Sequence, residues 1–235
     1  MPRCYNARPH PQRRQMLELG TKFLISYFLG SIMGALVVGR LKGGVDIREQ
    51  GSGNAGGTNA LRTQGKLFAL GVVIIDIGKG ALGAGLVPML DLPFVGQDPE
   101  VSREWLTLAC AAAAVMGHVW PVYHRFRGGK GAATYIGALL VTAPLLIPPM
   151  LLVFALTVVL SGFVGLSTML AASSLPIWVA VGGLADGSEL FIFSIGMAAF
   201  IIYCHRSNIQ RMRAGNENRN ERVMLFRRRD RDAAG

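Results

Sequence analysis

Three polar segments of the chain combine glycine with cationic, amide and hydroxyl side chains, a composition suited to binding phosphate. The first, residues 46–62, contains four glycines, whose backbone N–H groups can converge on an anion. Thr58 or Asn59 would cap the following helix, whose positive end also favours phosphate. Ser52, Asn54 and Asn59 supply hydrogen bonds, and Arg62 supplies a bidentate cation. The alternative, a flexible glycine-rich turn, does not need this set of polar side chains.

The second segment, residues 117–134, contains Gly128-Gly129-Lys130-Gly131 after several aromatic residues. Its glycines offer bare backbone donors beside the Lys130 ammonium. Position 124 is His and Gly follows the lysine, so this is not a Walker A loop. A positive-inside anchor with interfacial aromatics is the alternative for the cations, but it does not account for three glycines around one lysine.

The third segment, residues 205–217, ends in Glu217. If it is helical, His205, Asn208 and Met212 share a face through their i, i+3 and i+7 spacing. His205 would then face a site at the cytoplasmic end of a membrane span. A basic tail that touches anionic lipid is the alternative, and we adopt it for residues 222–231 only.

Several other chemistries lack the residues that they need. No His, Cys and Asp cluster has metal-ligand spacing, and no G-x-S-x-G elbow is present. The His-x4-Asp pair of the common glycerolipid acyltransferases is also missing. Residues 51–56 match G-x-G-x-x-G, but the acidic residue that should follow, Asp76, lies inside an apolar run and not at the end of a strand. We therefore expect neither a metal ion nor any other cofactor.

Membrane helices must position these segments. Of the 235 residues, 51% are hydrophobic and 16% are charged, whereas a globular domain has about 25% charged residues. The mean hydropathy is +0.39. A net charge of +10 would suit a nucleic-acid binder, but the polar surface of such a protein is missing, so we expect no nucleic-acid partner. The composition indicates an all-α polytopic membrane protein.

Apolar runs predict transmembrane helices at about residues 23–39, 67–90 and 105–123. Residues 131–204 contain no Lys or Arg and must cross the bilayer two or four more times. Asp76 and Lys79 share a helix face within the second run, and we expect them to form a structural ion pair.

The basic short loops set the orientation, because such loops stay in the cytoplasm. This places residues 40–66, 125–130 and the tail after His205 inside, and residues 91–103 and 185–189 outside. Two inside loops must be joined by an even number of spans. The total is therefore five or seven, with the N-terminus outside and the C-terminus in the cytoplasm.

The predicted domains are an N-terminal extension at 1–20, a single transmembrane domain at 21–205 and a basic cytoplasmic tail at 206–235 that includes the third segment. The extension is rich in Arg, although the predicted topology places it outside. We expect it either to be disordered or to precede a true start at Met16.

These segments resemble the motifs of the bacterial membrane acyl-phosphate:glycerol-3-phosphate acyltransferases, the PlsY family. The resemblance runs from about Tyr27 to Arg219, and three long motifs occur in the family's order and at its intervals. The matching stretches are 29–32, 46–48, 51–63, Asp76-x-x-Lys79-Gly80, 117–134 and 205–217.

The resemblance implies seven transmembrane helices in the bacterial cytoplasmic (inner) membrane, with the active site on the cytoplasmic side. It implies acyl transfer from acyl phosphate to the 1-hydroxyl of glycerol 3-phosphate, giving lysophosphatidic acid and phosphate, the first step of phospholipid synthesis. The expected partners of this monomeric enzyme are acyl phosphate, glycerol 3-phosphate and membrane lipid.

The resemblance also assigns roles to residues of the three segments. The expected catalytic residues are Ser52, His205, Asn208 and Glu217. The expected substrate-binding residues are Gly51, Gly53, Asn54, Thr58, Asn59, Arg62, His118, Gly128, Gly129, Lys130 and Gly131. Whether His205, His118 or a substrate phosphate takes the proton of the alcohol stays open.

The chain departs from the family at the first segment and near the fifth span. The family commonly has Pro at the position of Ala55 and Ala at that of Gly57. It has Arg-Tyr-X-Ser where this chain has Gly162-Phe163-Val164-Gly165, so Ser167 or Thr168 would have to replace that serine.

The rival from another class is an organophosphate transporter. Transporters often contain internal repeats, and the three segments do not repeat. A lipid-binding scaffold would explain the basic tail but not the glycine-rich loops.

Overall fold

The computed structural model describes residues 11–182 and 188–225, and the regular structure in those ranges is helical. Short loops and 3-10 turns join the α-helices. Their bounds are Pro11–Gly30 (α1), Gly34–Leu41 (α2), Gly57–Gln64 (α3), Lys66–Gly85 (α4), Arg103–Val119 (α5), Ala132–Thr142 (α6), Ile147–Ser161 (α7), Val164–Val181 (α8), Ser188–Cys204 (α9) and Arg206–Arg213 (α10). The all-helical architecture expected from the composition is confirmed for these residues.

Among the described residues, four helical segments are long and apolar enough to cross a membrane: α4 and α5 with the turns that follow them, α7 with the turn before it, and α8. Two bent pairs, α1 with α2 and α9 with α10, bring the number to six if each pair is one span. Helix α6 has 11 residues, so its length of about 16 Å is below the roughly 30 Å of a bilayer's hydrocarbon core. The number of seven spans and the side on which each terminus lies stay predictions.

The first helix begins earlier than the predicted domain boundary. Helix α1 starts at Pro11, so the predicted extension at 1–20 includes ordered helix, and the side chain of Glu18 is fully buried there. Residues 1–10 lie outside the described residues, as do 185–187 of the predicted outer loop at 185–189. The boundary at residue 20 therefore falls within α1.

The predicted span at 23–39 is interrupted between α1 and α2, which meet at a bend of 40°. A broken helix frees backbone groups, and α4 satisfies two of them. Asp76 Oδ1 accepts the N–H of Gly34 at 3.2 Å, and Lys79 Nζ donates to the carbonyl of Ile32 at 2.7 Å. The same two side chains form the predicted ion pair at 2.9 Å, which is confirmed.

Glycine allows close contact between the helices that carry the second segment. A Cβ at Gly30 in α1 would lie 2.1 Å from the carbonyl oxygen of Ala114 in α5. A Cβ at Gly80 in α4 would lie 2.0 Å from that of Thr134 in α6. Small residues let membrane helices approach in this way. Helix α5 is thereby held against α1 and the start of α6 against α4, and the second segment connects α5 to α6.

Candidate active site

The first segment folds around the side chain of Asn59, which is 2% exposed. Its Oδ1 accepts the N–H of Ser52 at 3.0 Å, and its Nδ2 donates to the carbonyls of Ile47 and Gln50 at 2.9 and 3.0 Å. These bonds all stay within the segment. Asn59 therefore shapes the loop, and we do not assign it to substrate contact.

Helix α3 begins at Gly57, and its N-cap is Gly56, whose carbonyl accepts the N–H of Ala60. No side chain caps this helix. The prediction that Thr58 or Asn59 caps it is wrong, because Thr58 lies inside the first turn and Asn59 bonds back to the loop.

Other polar side chains of the first segment remain accessible. Gly51 and Gly53 have φ values of +58° and +71°, a conformation that favours glycine. The side chains of Ser52, Thr58 and Arg62 are exposed, and that of Asn54 is half-buried. Within the described residues, no hydrogen bond or ion pair engages Arg62. Its guanidinium is therefore available to an anion.

The second segment wraps around the end of α5. His118 is only 3% exposed there, so its ring does not line an open site. The N–H of Gly129 donates to the His118 carbonyl at 3.1 Å, which corrects the prediction that it is a bare donor. A Cβ at Gly128 would lie 2.0 Å from that carbonyl oxygen, and Gly131, with a φ of +85°, precedes α6. Close packing and backbone conformation thus require these glycines.

The third segment begins where α9 meets α10, at a bend of 53°. His205 is buried at this junction, and its Nδ1 lies 2.8 Å from the carbonyl oxygen of Ile201. Because a carbonyl only accepts, Nδ1 carries the proton and Nε2 keeps a lone pair. Further along, Nδ2 of Asn208 donates to Glu217 at 2.8 Å, and Nε of Arg211 donates to the same carboxylate at 2.6 Å.

The side chain of Lys130 joins the second segment to the third, because its Nζ donates to Oδ1 of Asn208. We call Lys130, Asn208, Arg211 and Glu217 the Lys130 network. Burial of the ammonium and the nearby charge of Arg211 lower the pKa of Lys130 to about 8. With Lys130 protonated, the network holds two cations and one carboxylate, and among the described residues the half-buried ammonium bonds only the neutral amide of Asn208. Such a site favours an anion.

The first segment is joined to the second by Arg48. Its Nη1 donates to the carbonyl of Arg127 at 3.2 Å. The same guanidinium bonds the Asp46 carboxylate at 2.7 and 3.0 Å and lowers the pKa of that carboxyl. The three segments are therefore linked in series. Within the described residues, no hydrogen bond joins the side chain of Ser52 or Arg62 to the Lys130 network.

The start of α8 lies against the network. A Cβ at Gly165 would be 2.6 Å from Nδ2 of Asn208. The hydroxyls of Ser167 and Thr168 lie one turn further on and donate to carbonyls of their own helix at 2.9 Å. That one of them replaces the family's serine stays a prediction, since the residue that touches Asn208 is Gly165.

Arg211 completes the network and was not predicted as a site residue. The available signal was its i+3 spacing from Asn208 on α10. No role was predicted for residues 218–221, and residues 222–225 were assigned to a basic tail that touches anionic lipid. The N–H of Asn220 donates to the carbonyl of Gly162 at 2.8 Å, and the Arg219 guanidinium lies 5.1 Å from the centre of the Phe163 ring. This segment packs on the corner between α7 and α8.

An apolar slot of about 70 Å³ lies among α6, α7, α8 and α9. It starts at Ala132, two residues after Lys130, and also contacts Ile201, four residues before His205. Met150 and Phe154 line its α7 side. An apolar cavity therefore borders the residues that carry the polar network.

Apolar helices with a cationic network at one end are typical of an integral membrane protein, and the charge of the network favours an anionic ligand. The comparison with family models matches residues 21–215 to the family described as glycerol-3-phosphate acyltransferase. The chain belongs to this family, and it is a multi-pass membrane acyltransferase.

Similar proteins agree with this assignment. A glycerol-3-phosphate acyltransferase of Chlorobium phaeobacteroides is 39% identical over 87% of this chain and 97% of its own. One of Bacillus cytotoxicus is 41% identical over 80% of this chain and 88% of its own. Crystal structures of PlsY, an integral membrane glycerol 3-phosphate acyltransferase, in glycerol 3-phosphate and lysophosphatidic acid forms, match with TM-scores of 0.72 and 0.71. They are 33% and 32% identical, over 86% of this chain and 94% of theirs.

Proposed function

We propose that this acyltransferase transfers the acyl chain of an acyl phosphate to the 1-hydroxyl of sn-glycerol 3-phosphate. The products are lysophosphatidic acid and inorganic phosphate, and the reaction begins bacterial phospholipid synthesis. The Lys130 network carries this proposal, because it joins two glycine-containing segments around an ammonium that has only a neutral partner. A phosphate group supplies the missing negative charge.

The reaction needs orientation more than activation, because the donor is already a mixed anhydride. The 1-hydroxyl oxygen attacks the acyl carbonyl carbon, a carbon–oxygen bond forms, and the bond to phosphate breaks with its electron pair on the leaving phosphate. Lys130 and Arg62 hold the substrate phosphates, with hydrogen bonds from Ser52, Asn54, Thr58 and the glycine-rich loops. Such positioning and charge stabilisation supply most of the rate enhancement.

The proton of the attacking hydroxyl goes to Nε2 of His205. Support for this role comes from the bond between Nδ1 and the Ile201 carbonyl, which leaves Nε2 unprotonated. Asn208 and Glu217 act by holding Lys130, since Asn208 bonds the ammonium on one side and the Glu217 carboxylate on the other.

The acyl chain of the donor enters the apolar slot beside Ala132, which begins next to the proposed phosphate site. This arrangement accounts for a membrane enzyme that acts on a water-soluble alcohol. From the positions of the basic loops we propose that the site lies on the cytoplasmic side of the membrane, with the N-terminus outside. Seven spans, the inner membrane and a monomeric enzyme are proposed from the family resemblance.

The test uses the purified full chain in detergent or lipidic mesophase. Phosphate release is followed with acyl phosphate and glycerol 3-phosphate together, with each alone, and with acyl-CoA or acyl carrier protein as the donor. Release that requires both substrates supports the proposal, and a metal chelator should leave it unchanged. Folded protein that turns over no donor would contradict the proposal and favour the organophosphate transporter.

A further inference from the structure

A buried cluster of ionisable side chains lies at the start of the second segment and is not used in the reaction proposed above. Asp76 and Lys79 of α4 are 1% and 3% exposed, and His118, near the end of α5, is 3% exposed. Oδ1 of Asp76 is 2.9 Å from Nζ of Lys79 and 3.4 Å from Nδ1 of His118. Ionisable groups at such depth in a membrane protein are costly and usually paired or functional.

The break between α1 and α2 accounts for only part of this cluster. Asp76 and Lys79 satisfy the freed backbone groups there, as described above. His118 bonds neither of those groups. Among the described residues, Oδ2 of Asp76 and Nδ1 of His118 have no hydrogen-bond partner. Within the described part of the chain, the 3.4 Å approach of Asp76 Oδ1 to Nδ1 is the ion-pair contact that the His118 ring makes.

The other side of the His118 ring lies against the glycine-rich loop. A Cβ at Gly129 would lie 2.1 Å from Nε2, 3.0 Å from Cε1 and 3.1 Å from Cδ2 of His118, and these ring atoms are its three nearest neighbours. The N–H of Gly129 also donates to the His118 carbonyl. The loop therefore packs on the His118 ring at Gly129, one residue before Lys130.

We propose that His118, oriented by Asp76, is a positioning residue that fixes the loop and thereby the ammonium of Lys130. Glycine has little conformational preference of its own, so residues 128–129 need an external surface to hold one conformation. A small displacement of a binding group is expensive in catalysis, since about 1 Å can cost about 10²-fold. This inference rests on the proposed phosphate site of Lys130.

The test exploits the contact between Gly129 and the ring. In Gly129→Ala the new methyl group meets His118, and we expect kcat/KM for glycerol 3-phosphate to fall about 100-fold through displacement of the loop. His118→Ala alone should cost about tenfold. In the double variant the truncated side chain leaves room for the methyl group, so activity should recover at least about tenfold from the level of Gly129→Ala.

The control is Gly78→Ala in α4, where a Cβ would meet nothing within 4 Å. It should behave as the wild type. In Gly129→Ala the KM for glycerol 3-phosphate should rise, while the KM for acyl phosphate and the melting temperature should stay unchanged. A general structural defect would change all three quantities. Losses that multiply in the double variant, or a Gly129→Ala protein with wild-type kinetics, would overturn the inference.

Calorimetric titration of glycerol 3-phosphate into the same variants separates this inference from the proposed function. A wild type that binds glycerol 3-phosphate but turns over no donor would refute the reaction, while the four proteins would still test the positioning role by affinity. The expected order of affinity is wild type, then His118→Ala and the double variant, then Gly129→Ala. A wild type without affinity for glycerol 3-phosphate would refute both.

Discussion

Each end of α5 is associated with a set of charged side chains, and the two sets differ in how fully they are paired. At its start lies the Glu18 cluster, which consists of Glu18, Lys22 and Arg103. The carboxylate of Glu18 accepts Nζ of Lys22 at 2.9 Å, two nitrogens of Arg103 at 2.8 and 2.9 Å, and the N–H of Asp98 at 2.8 Å. The Lys130 network follows the other end, and there the ammonium has a single neutral partner.

This difference separates a structural cluster from a binding one. In the Glu18 cluster, Nζ of Lys22 also donates to the carbonyl of Pro88, so the donors and acceptors are used within the protein. A ligand would have to displace bonds that are already made. In the Lys130 network, a phosphate would add bonds to a half-buried ammonium that, among the described residues, bonds one neutral amide. Incomplete pairing is therefore what marks this set of charges as a candidate binding site.

The largest expected effect on activity comes from replacing a lysine with methionine, and the same substitution is compared at the two ends of α5. Lys130→Met removes the charge that holds the phosphate, so kcat/KM for glycerol 3-phosphate should fall about 10²- to 10³-fold with little change in melting temperature. Lys22→Met should do the reverse, lowering the melting temperature and leaving kcat/KM within about twofold. Kinetics and thermal unfolding of both variants measure this. Equal kinetic losses would show that the pairing of buried charges does not identify the site.

The second-largest expected effect on activity distinguishes proton transfer from positioning at the end of α5 that the Lys130 network follows. His205→Asn keeps a donor for the Ile201 carbonyl and removes Nε2. If Nε2 accepts the proton of the hydroxyl, kcat should fall about 10²-fold while the KM for glycerol 3-phosphate changes little. Steady-state kinetics check this, and a kcat near that of the wild type would assign the proton to a substrate phosphate.

A smaller effect follows from the titration of Lys130. Its pKa is lowered to about 8, so the ammonium that attracts phosphate is present below that pH and is lost as the pH rises through it. We expect kcat/KM for glycerol 3-phosphate to fall about fivefold between pH 8 and pH 9. Lys130→Arg keeps its charge over this range and should flatten the profile. An unchanged profile in that variant would assign the decline to another group.

Local sequence was sufficient to predict some of the candidate residues. Lys130 stood out among glycines, Asn208 shared a helix face with His205, and the role of Glu217 came from the family resemblance. The structure joins these three residues through hydrogen bonds. The helical architecture and the approximate bounds of the spans were also predicted, because hydropathy is a property of short stretches of chain.

Features that depend on distant contacts could not be predicted. The break at residues 31–33 lies in a continuous apolar run and depends on Asp76 and Lys79, more than 40 residues away. Glu18 was assigned to the N-terminal extension and Lys22 to the start of the transmembrane domain, since nothing near them in sequence indicates a partner at Arg103. Each of these features depends on how the helices pack, so the local sequence does not predict it.

The smallest expected effect on activity concerns Arg103, which tests the Glu18 cluster directly. Arg103→Met removes two hydrogen bonds from the buried Glu18 carboxylate, while Lys22 and the N–H of Asp98 still hold it. Because the Arg103 side chain is 47% exposed, we expect a loss of only about 2 kcal/mol in the free energy of unfolding. The folded protein should keep its kcat/KM, since the network at the other end of α5 is untouched. Thermal unfolding and kinetics in the same detergent decide this, and a loss of activity without a loss of stability would show that the two ends of α5 are coupled.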